Sequence, residues 1–191
     1  MSFANCNDWC LASLVQNARG NKCAYITGPK DAPIKLKLDE TKTPFDAGSF
    51  NPLETVRLNL DLAVTDMSSE IFAKIDEWVI DKLAANPKAY FKTTKTRDEI
   101  AAIFKASITP HEKDGKTFNP TIRCKINTAG PRKIKCWTQE KTLRDSPEDW
   151  RQCEILPIVS VKGLWFMSNQ CGCTYEIHDC ILNETETSCP F

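Results

Sequence analysis

The chain has 191 residues, 41% hydrophobic and 26% charged, with a formal net charge of zero. That length buries a core without help from disulfides or metals, and the composition is that of an ordinary globular protein. No apolar run reaches the roughly 20 residues a membrane helix needs. The start, Met1 to Asp8, lacks the basic and apolar regions of a signal peptide, so an intracellular protein without a membrane partner is expected.

In chain order, residues 1–24 read as an N-terminal arm in which Trp9, Leu11, Leu14 and Val15 are spaced for a short amphipathic helix ending near Gly20. A strand is predicted from Ala32 to Leu38. The proline- and glycine-containing stretch from Asp39 to Pro52 reads as loop, where Phe45 and Phe50 must either pack or serve as contacts. Val56 to Leu62 alternates cleanly, as a half-buried strand does. A helix follows from about Met67 to Ala85, with Asp66 as N-cap and Ile71, Ile75, Trp78, Val79 and Leu83 as its apolar stripe. Thr96 and Glu99 form the capping-box signature of a second, shorter helix.

The next segment carries the chemistry. In Thr121 to Ile126, Ile122, Cys124 and Ile126 alternate with Arg123 and Lys125; in Lys133 to Trp137, Ile134 and Cys136 alternate with Lys133, Lys135 and Trp137. Strand side chains point alternately to opposite sheet faces. Each segment therefore has a core face and a face of cations, the second with an indole. Residues 127–132, including Gly130, Pro131 and Arg132, read as the loop of a hairpin joining them. Cations in a row can follow a phosphate backbone, and an exposed ring can stack an unpaired base. Ile155 to Val161, Gly163 to Met167 and Cys173 to Leu182 are the last strands, and 183–191 is a polar tail ending in Phe191.

Charge is segregated along the chain. Residues 82–144 hold 15 basic and 5 acidic side chains, between acidic flanks of 8 basic and 12 acidic (1–81) and 2 basic and 8 acidic (145–191). A basic centre of this kind suits a polyanion, and equally a solvated lysine-rich surface. Six of the ten cysteines, Cys124, Cys136, Cys153, Cys171, Cys173 and Cys180, fall in strand-like segments, where reduced cysteine behaves as a small hydrophobe. Cys171, Cys173, His178 and Cys180 invite a zinc reading, but strand parity puts the first two on one face and the last two on the other, against tetrahedral convergence. No nucleophile elbow, phosphate-cradling glycine loop or metal-binding histidine pair is present, so neither an enzyme nor a cofactor is expected. Asn183 opens a glycosylation sequon that reads as chance in an intracellular chain.

The pattern predicts a mainly β fold with inserted helices, an oligonucleotide-binding (OB)-like antiparallel barrel capped by an α-helix, over residues 25–182. Candidate nucleic-acid contacts are Arg123, Lys125, Arg132, Lys133 and Lys135 for phosphates, and Trp137, Trp165 and Tyr175 for bases. The order of Thr43-Pro44-Phe45 with Ser49-Phe50, the strand 56–62 leading into the helix 67–85, Asn119 to Lys125, Gly163-Leu164-Trp165-Phe166 and Gly172-Cys173-Thr174-Tyr175 resembles the replicative single-stranded-DNA-binding proteins of nucleocytoplasmic large DNA viruses. These are akin to the OB-type proteins of short-tailed phages, with similar proteins in algal viruses and dinoflagellates. The resemblance covers about residues 32–182. It implies single-stranded DNA as partner, a role in replication, recombination or repair in a host nucleus or viral factory, and recruitment of replication proteins through a C-terminal aromatic, here Phe191. An alternative is a structural or scaffolding component of a virion, using the same barrel for contacts with itself or with capsid proteins; the zero net charge suits that alternative.

Overall fold

Two long strands organise the molecule, and the chain before them is laid against their edges. The computed structural model describes residues 6–17 and 20–183, excepting the Lys113 side chain. In chain order the strands are β1 (Cys10–Leu11), β2 (Val15–Gln16), β3 (Lys22–Thr27), β4 (Ile34–Lys37), β5 (Thr41–Lys42) and β6 (Arg57–Ala63). Helices α1 (Asp66–Ala85), α2 (Pro87–Phe91) and α3 (Arg97–Ile103) come next. Then follow β7 (Phe104–Lys105), β8 (Ile108–Lys113), β9 (Lys116–Asn127), β10 (Lys135–Trp137), β11 (Leu143–Arg144), β12 (Glu154–Phe166) and β13 (Cys171–Leu182).

β12 and β13 form the central antiparallel ladder. β3, β4 and β5 line the other edge of β12, all antiparallel. On the far edge of β13 lie β7, β9 and β10, all parallel to it. β9 pairs in turn with β6 and β8. The sheet is therefore mixed, not purely antiparallel. Its hydrogen-bonded path does not close into a ring, but the Thr41 hydroxyl on β5 donates to the Ala63 carbonyl on β6 at 2.6 Å and spans the remaining seam. The result is the expected mainly β, OB-like architecture with helices inserted between β6 and β7.

The predicted alternations decide which side chains form the core. Leu60, Leu62, Ile122, Cys124, Ile126, Ile155 and Ile177 are buried, and Phe72, Ile75, Val79 and Leu83 bring the stripe of α1 against them. α1 begins at Asp66, the residue predicted as its N-cap, so the true cap lies one residue earlier. Thr65 is the cap, accepting from the Ser68 amide while the Ser68 hydroxyl accepts from the Thr65 amide at 2.8 Å; Asp66 is the first helical residue, where its charge suits the helix dipole. Thr96 and Glu99 cap α3 as the sequence predicts.

The helix expected between Trp9 and Gly20 does not form. Residues 10–11 and 15–16 are extended and add to β3, while Trp9 is buried edge-on against Trp78 of α1, with ring centroids 5.6 Å apart. Core burial of one large ring and ladder bonds outweigh the weak helical preference of so short a stretch. The two segments predicted at 155–161 and 163–167 are one strand, β12, with an irregularity between Val161 and Gly163. At Gly163 φ is +147°, and a Cβ would stand 2.2 Å from the Ala24 carbonyl oxygen, so only glycine lets β3 approach β12 here.

Cys124, Cys136, Cys171 and Cys180 are buried, with Cys153 and Cys173 half-buried. Burial pushes the Cys171 thiol up to about 11 and Cys173 up to about 12, so both stay protonated near neutral pH. Among the described residues no cluster of three or more His, Cys, Asp or Glu side chains is placed to hold a metal ion.

Candidate functional site

The face of the β12–β13–β9–β6 sheet opposite the helices holds an open cleft of about 270 Å³. Strand register builds it. Trp165 on β12 stands opposite Gly172 on β13, and Lys105 on β7 is the next neighbour of Gly172. Two residues along β13 is Thr174. Arg123 precedes Cys124 on β9 as Thr174 precedes Tyr175, the registered partner of Cys124, so Arg123 shares this face. Lys125 follows two residues on, opposite Asn59 of β6. Lys105, Arg123, Lys125 and Trp165 all line the cleft.

The Trp165 ring rests on Gly172: a Cβ there would come within 2.8 Å of the indole Cζ2. The glycine thus provides the flat seat that lets a large ring lie along the sheet. Across the cleft stands Phe50, 86% exposed. Its loop is held by local bonds: the Asn51 amide donates to Ser49 Oγ at 3.2 Å, the Leu53 amide to Asn51 Oδ1 at 3.1 Å, and the Val56 and Arg57 amides to Glu54 Oε1 at 3.1 and 2.9 Å. Side-chain caps of this kind fix a turn without secondary structure. An exposed ring held in place by its own loop loses little further freedom on binding.

The cations differ in how free they are. Arg123 grips Asp61 with two bonds of 2.8 Å, which raises its already high pKa, and its guanidinium lies over the Phe50 ring, 5.3 Å from the centroid. Two of its five N–H donors are used by Asp61. The Lys125 ammonium donates to Asn59 Oδ1 at 2.5 Å. Lys105 is exposed and has no ion pair among the described residues. Beneath the cleft, Asp76 of α1 accepts from the Ser107 amide at 2.8 Å and hydroxyl at 2.5 Å, and that hydroxyl also meets the Tyr175 hydroxyl at 2.6 Å. Burial, partly offset by the Ser107 bonds, lifts the Asp76 carboxyl to about 6.

The structure brings Arg123, Lys125 and Trp165 into one cleft with Tyr175 buried in its floor, and separates Arg132, Lys133, Lys135 and Trp137 from them. The expected hairpin between 121–126 and 133–137 is absent. β9 forms its hairpin with β8, whereas β10 runs parallel to β13 with Cys136 beside Cys180. The loop between β9 and β10 is closed by the bond from the Ile134 amide to the Asn127 carbonyl and is tied to the chain before β6 by the Thr128 amide, which donates to the Val56 carbonyl. Alternation had identified the buried faces, but many strand partners satisfy the same alternation. Arg132, Lys133 and Lys135 are exposed at the other end of β13. With them is Trp137, half-buried, whose indole N–H donates to Asp179 at 3.2 Å. Seven residues of strand separate Thr174 from Ile181, the neighbour of Trp137, so Trp137 lies roughly 20 Å along β13 from Arg123, while Lys135, beside Asp179, lies about 10 Å along it from Lys125, beside Glu176.

Tyr175 is not a stacking platform. It is 2% exposed and packs edge-on against Phe72 at 4.8 Å, because it falls on the core parity of β13. Phe50 and Lys105 are cleft residues that the alternation argument did not select. Phe50 was visible only as a large aromatic in a polar loop, and Lys105 gave no signal in the sequence.

No protein-family model matches the chain, and no curated protein matches it. Among solved structures the fold is similar to that of the single-stranded DNA-binding protein from bacteriophage Enc34, solved in complex with single-stranded DNA. The likeness covers 91% of this chain and 95% of that one at 10% identity, with a TM-score of 0.50. The two share a fold.

Proposed function

We propose that this protein binds single-stranded DNA without sequence preference and carries out no catalysis on it. The observation that carries this reading is the seating of Trp165 on Gly172 in an open cleft shared with Lys105, Arg123 and Lys125. A ring laid along a sheet can stack any base, since every base has a π-face, and cations beside it can take the phosphates. Phe50, backed by Arg123, offers a second ring on the opposite lip. The fold shared with a phage protein that holds single-stranded DNA supports the same reading. The second cluster, Arg132, Lys133, Lys135 and Trp137, would meet a longer strand farther along β13. By its resemblance to the viral replicative proteins, the chain would act in replication, recombination or repair inside an infected cell. The segment assigned to partner recruitment, ending in Phe191, lies outside the described residues.

Titration of labelled dT oligonucleotides by fluorescence anisotropy, at low and moderate salt, tests this. Binding should favour single over double strands and weaken as salt rises, with a log–log slope of about −0.7 per phosphate neutralised. Trp165→Ala should cost about 1–3 kcal/mol. Absence of salt-sensitive binding at low salt would reject the reading in favour of a structural role.

A further inference from the structure

We infer that Tyr25 is a stacking platform for the base next to the one on Trp165, with the phosphates running along the Lys105–Arg123 side; this rests on the DNA-binding reading above. Two rows cross the sheet face in register. The first is Cys23 on β3, Trp165 on β12, Gly172 on β13 and Lys105 on β7. The second is Tyr25 on β3, Gly163 on β12, Thr174 on β13 and then Arg123 on β9. Registered neighbours share a sheet face. Each row therefore has one aromatic toward β3 and one cation toward β7 and β9, with only small side chains between.

Tyr25 is 51% exposed, and its side chain makes no hydrogen bond or ring contact among the described residues. The backbone beneath it is fixed: Gly163 lets β3 close onto β12, and the Ala12 amide donates to the Tyr25 carbonyl at 2.9 Å. A half-exposed ring on a rigid strand loses little entropy on contact. The rows are about 7 Å apart along the strands, so successive bases would be splayed onto separate rings instead of stacking on each other. The Cα atoms of Trp165 and Lys105 are two strand spacings apart, about 10 Å, and those of Tyr25 and Arg123 three, about 14 Å. A base and its phosphate, met by two long side chains, span such gaps. The cations at the far end of both rows favour a nucleic-acid strand over an apolar partner for this strip.

The test compares wild type, Tyr25→Ala, Tyr25→Phe and Trp165→Ala by dT anisotropy across a salt series. Tyr25→Ala should weaken binding roughly five- to a hundredfold, the loss of one stacked base, with an unchanged salt slope because no cation is removed. Tyr25→Phe should bind as wild type does. Photo-crosslinking of wild type to 5-iododeoxyuridine oligonucleotides should label Tyr25, a readout that does not depend on how the variant folds. If Trp165→Ala weakens binding while Tyr25→Ala does not and Tyr25 stays unlabelled, this inference fails and the DNA-binding reading stands. If wild type binds no oligonucleotide, both fail. A change in sedimentation of Tyr25→Ala without a change in affinity would assign the strip to self-association and overturn the inference.

Discussion

The indole of Trp165 sits on the bare Cα of Gly172, and a single methyl group there would meet Cζ2 at 2.8 Å and the Lys105 carbonyl oxygen at 3.2 Å. Gly172→Ala should therefore lift the ring off the sheet while leaving the core intact, because the obstructing group is mainly a half-exposed side chain. Affinity for dT should fall about as far as in Trp165→Ala, by about 1–3 kcal/mol, and tryptophan emission should shift. Anisotropy and emission spectra on the same samples check this; wild-type affinity in the variant would show that the seating does not matter.

Gly163 is the opposite case, since its obstacle is backbone. With φ at +147° and the Ala24 carbonyl oxygen 2.2 Å from a Cβ, Gly163→Ala must push β3 away from β12. Loss of about 3 kcal/mol or more is expected, measured as a lower urea midpoint. A loss below about 1 kcal/mol would mean that β3 detaches at little cost.

Asp61 neutralises Arg123 inside the cleft. Asp61→Asn keeps the shape but removes a negative charge that competes with phosphate. DNA affinity should rise and the salt slope steepen by up to about 0.7, one additional phosphate neutralised. The Arg123 side chain is 44% exposed but that of Asp61 only 11%, so the substitution also leaves a largely buried amide against the guanidinium and should cost about 1–3 kcal/mol of stability. A weaker-binding, stably folded variant would show that Asp61 acts by orienting Arg123.

The Asp76 carboxyl titrates near 6 in the folded protein against an ordinary value of 3.8, so the folded state binds its proton more tightly than the unfolded chain does. Its contribution to stability is fully present below about pH 4 and is lost as pH rises through about 6. Asp76→Asn should remove this dependence. Urea midpoints of both proteins at pH 4.5 and 7 give the comparison: relative to the variant, wild type should gain stability at the lower pH. An equal difference at both values would refute the assignment.

At the barrel seam, Thr41→Val removes the hydroxyl donated to the Ala63 carbonyl at 2.6 Å and keeps the volume. About 1–2 kcal/mol of stability should be lost. Thermal melts check this, and an unchanged midpoint would show that water replaces the bond.

Where the sequence was readable, it was readable because a local rule applied. The period-two alternation of 56–62 and 121–126 gave both strands and their buried faces; the apolar stripe gave α1, and the Thr96–Glu99 box gave α3. Arg123 and Lys125 could be selected as outward residues for the same reason, whereas Trp165 stood out only as one of two adjacent aromatics, with Phe166, that must point to opposite faces. The residues whose placement the pattern did not give share a different feature. Tyr175 required knowledge of the parity of β13, Trp137 of the strand that β10 joins, and Phe50 of where an irregular loop comes to rest.

Residue type and spacing by themselves determined a mainly β protein with a central capped helix, a basic middle and alternating strands, since burial favours apolar faces whatever the neighbours are. Only the tertiary structure decided that β10 adds to β13 and not to β9, that the N-terminal segment joins the sheet, and that Gly163 lets β3 close onto β12 while Gly172 seats Trp165. Pairing between strands distant in sequence depends on which faces fit together in three dimensions, and many pairings satisfy the same one-dimensional pattern.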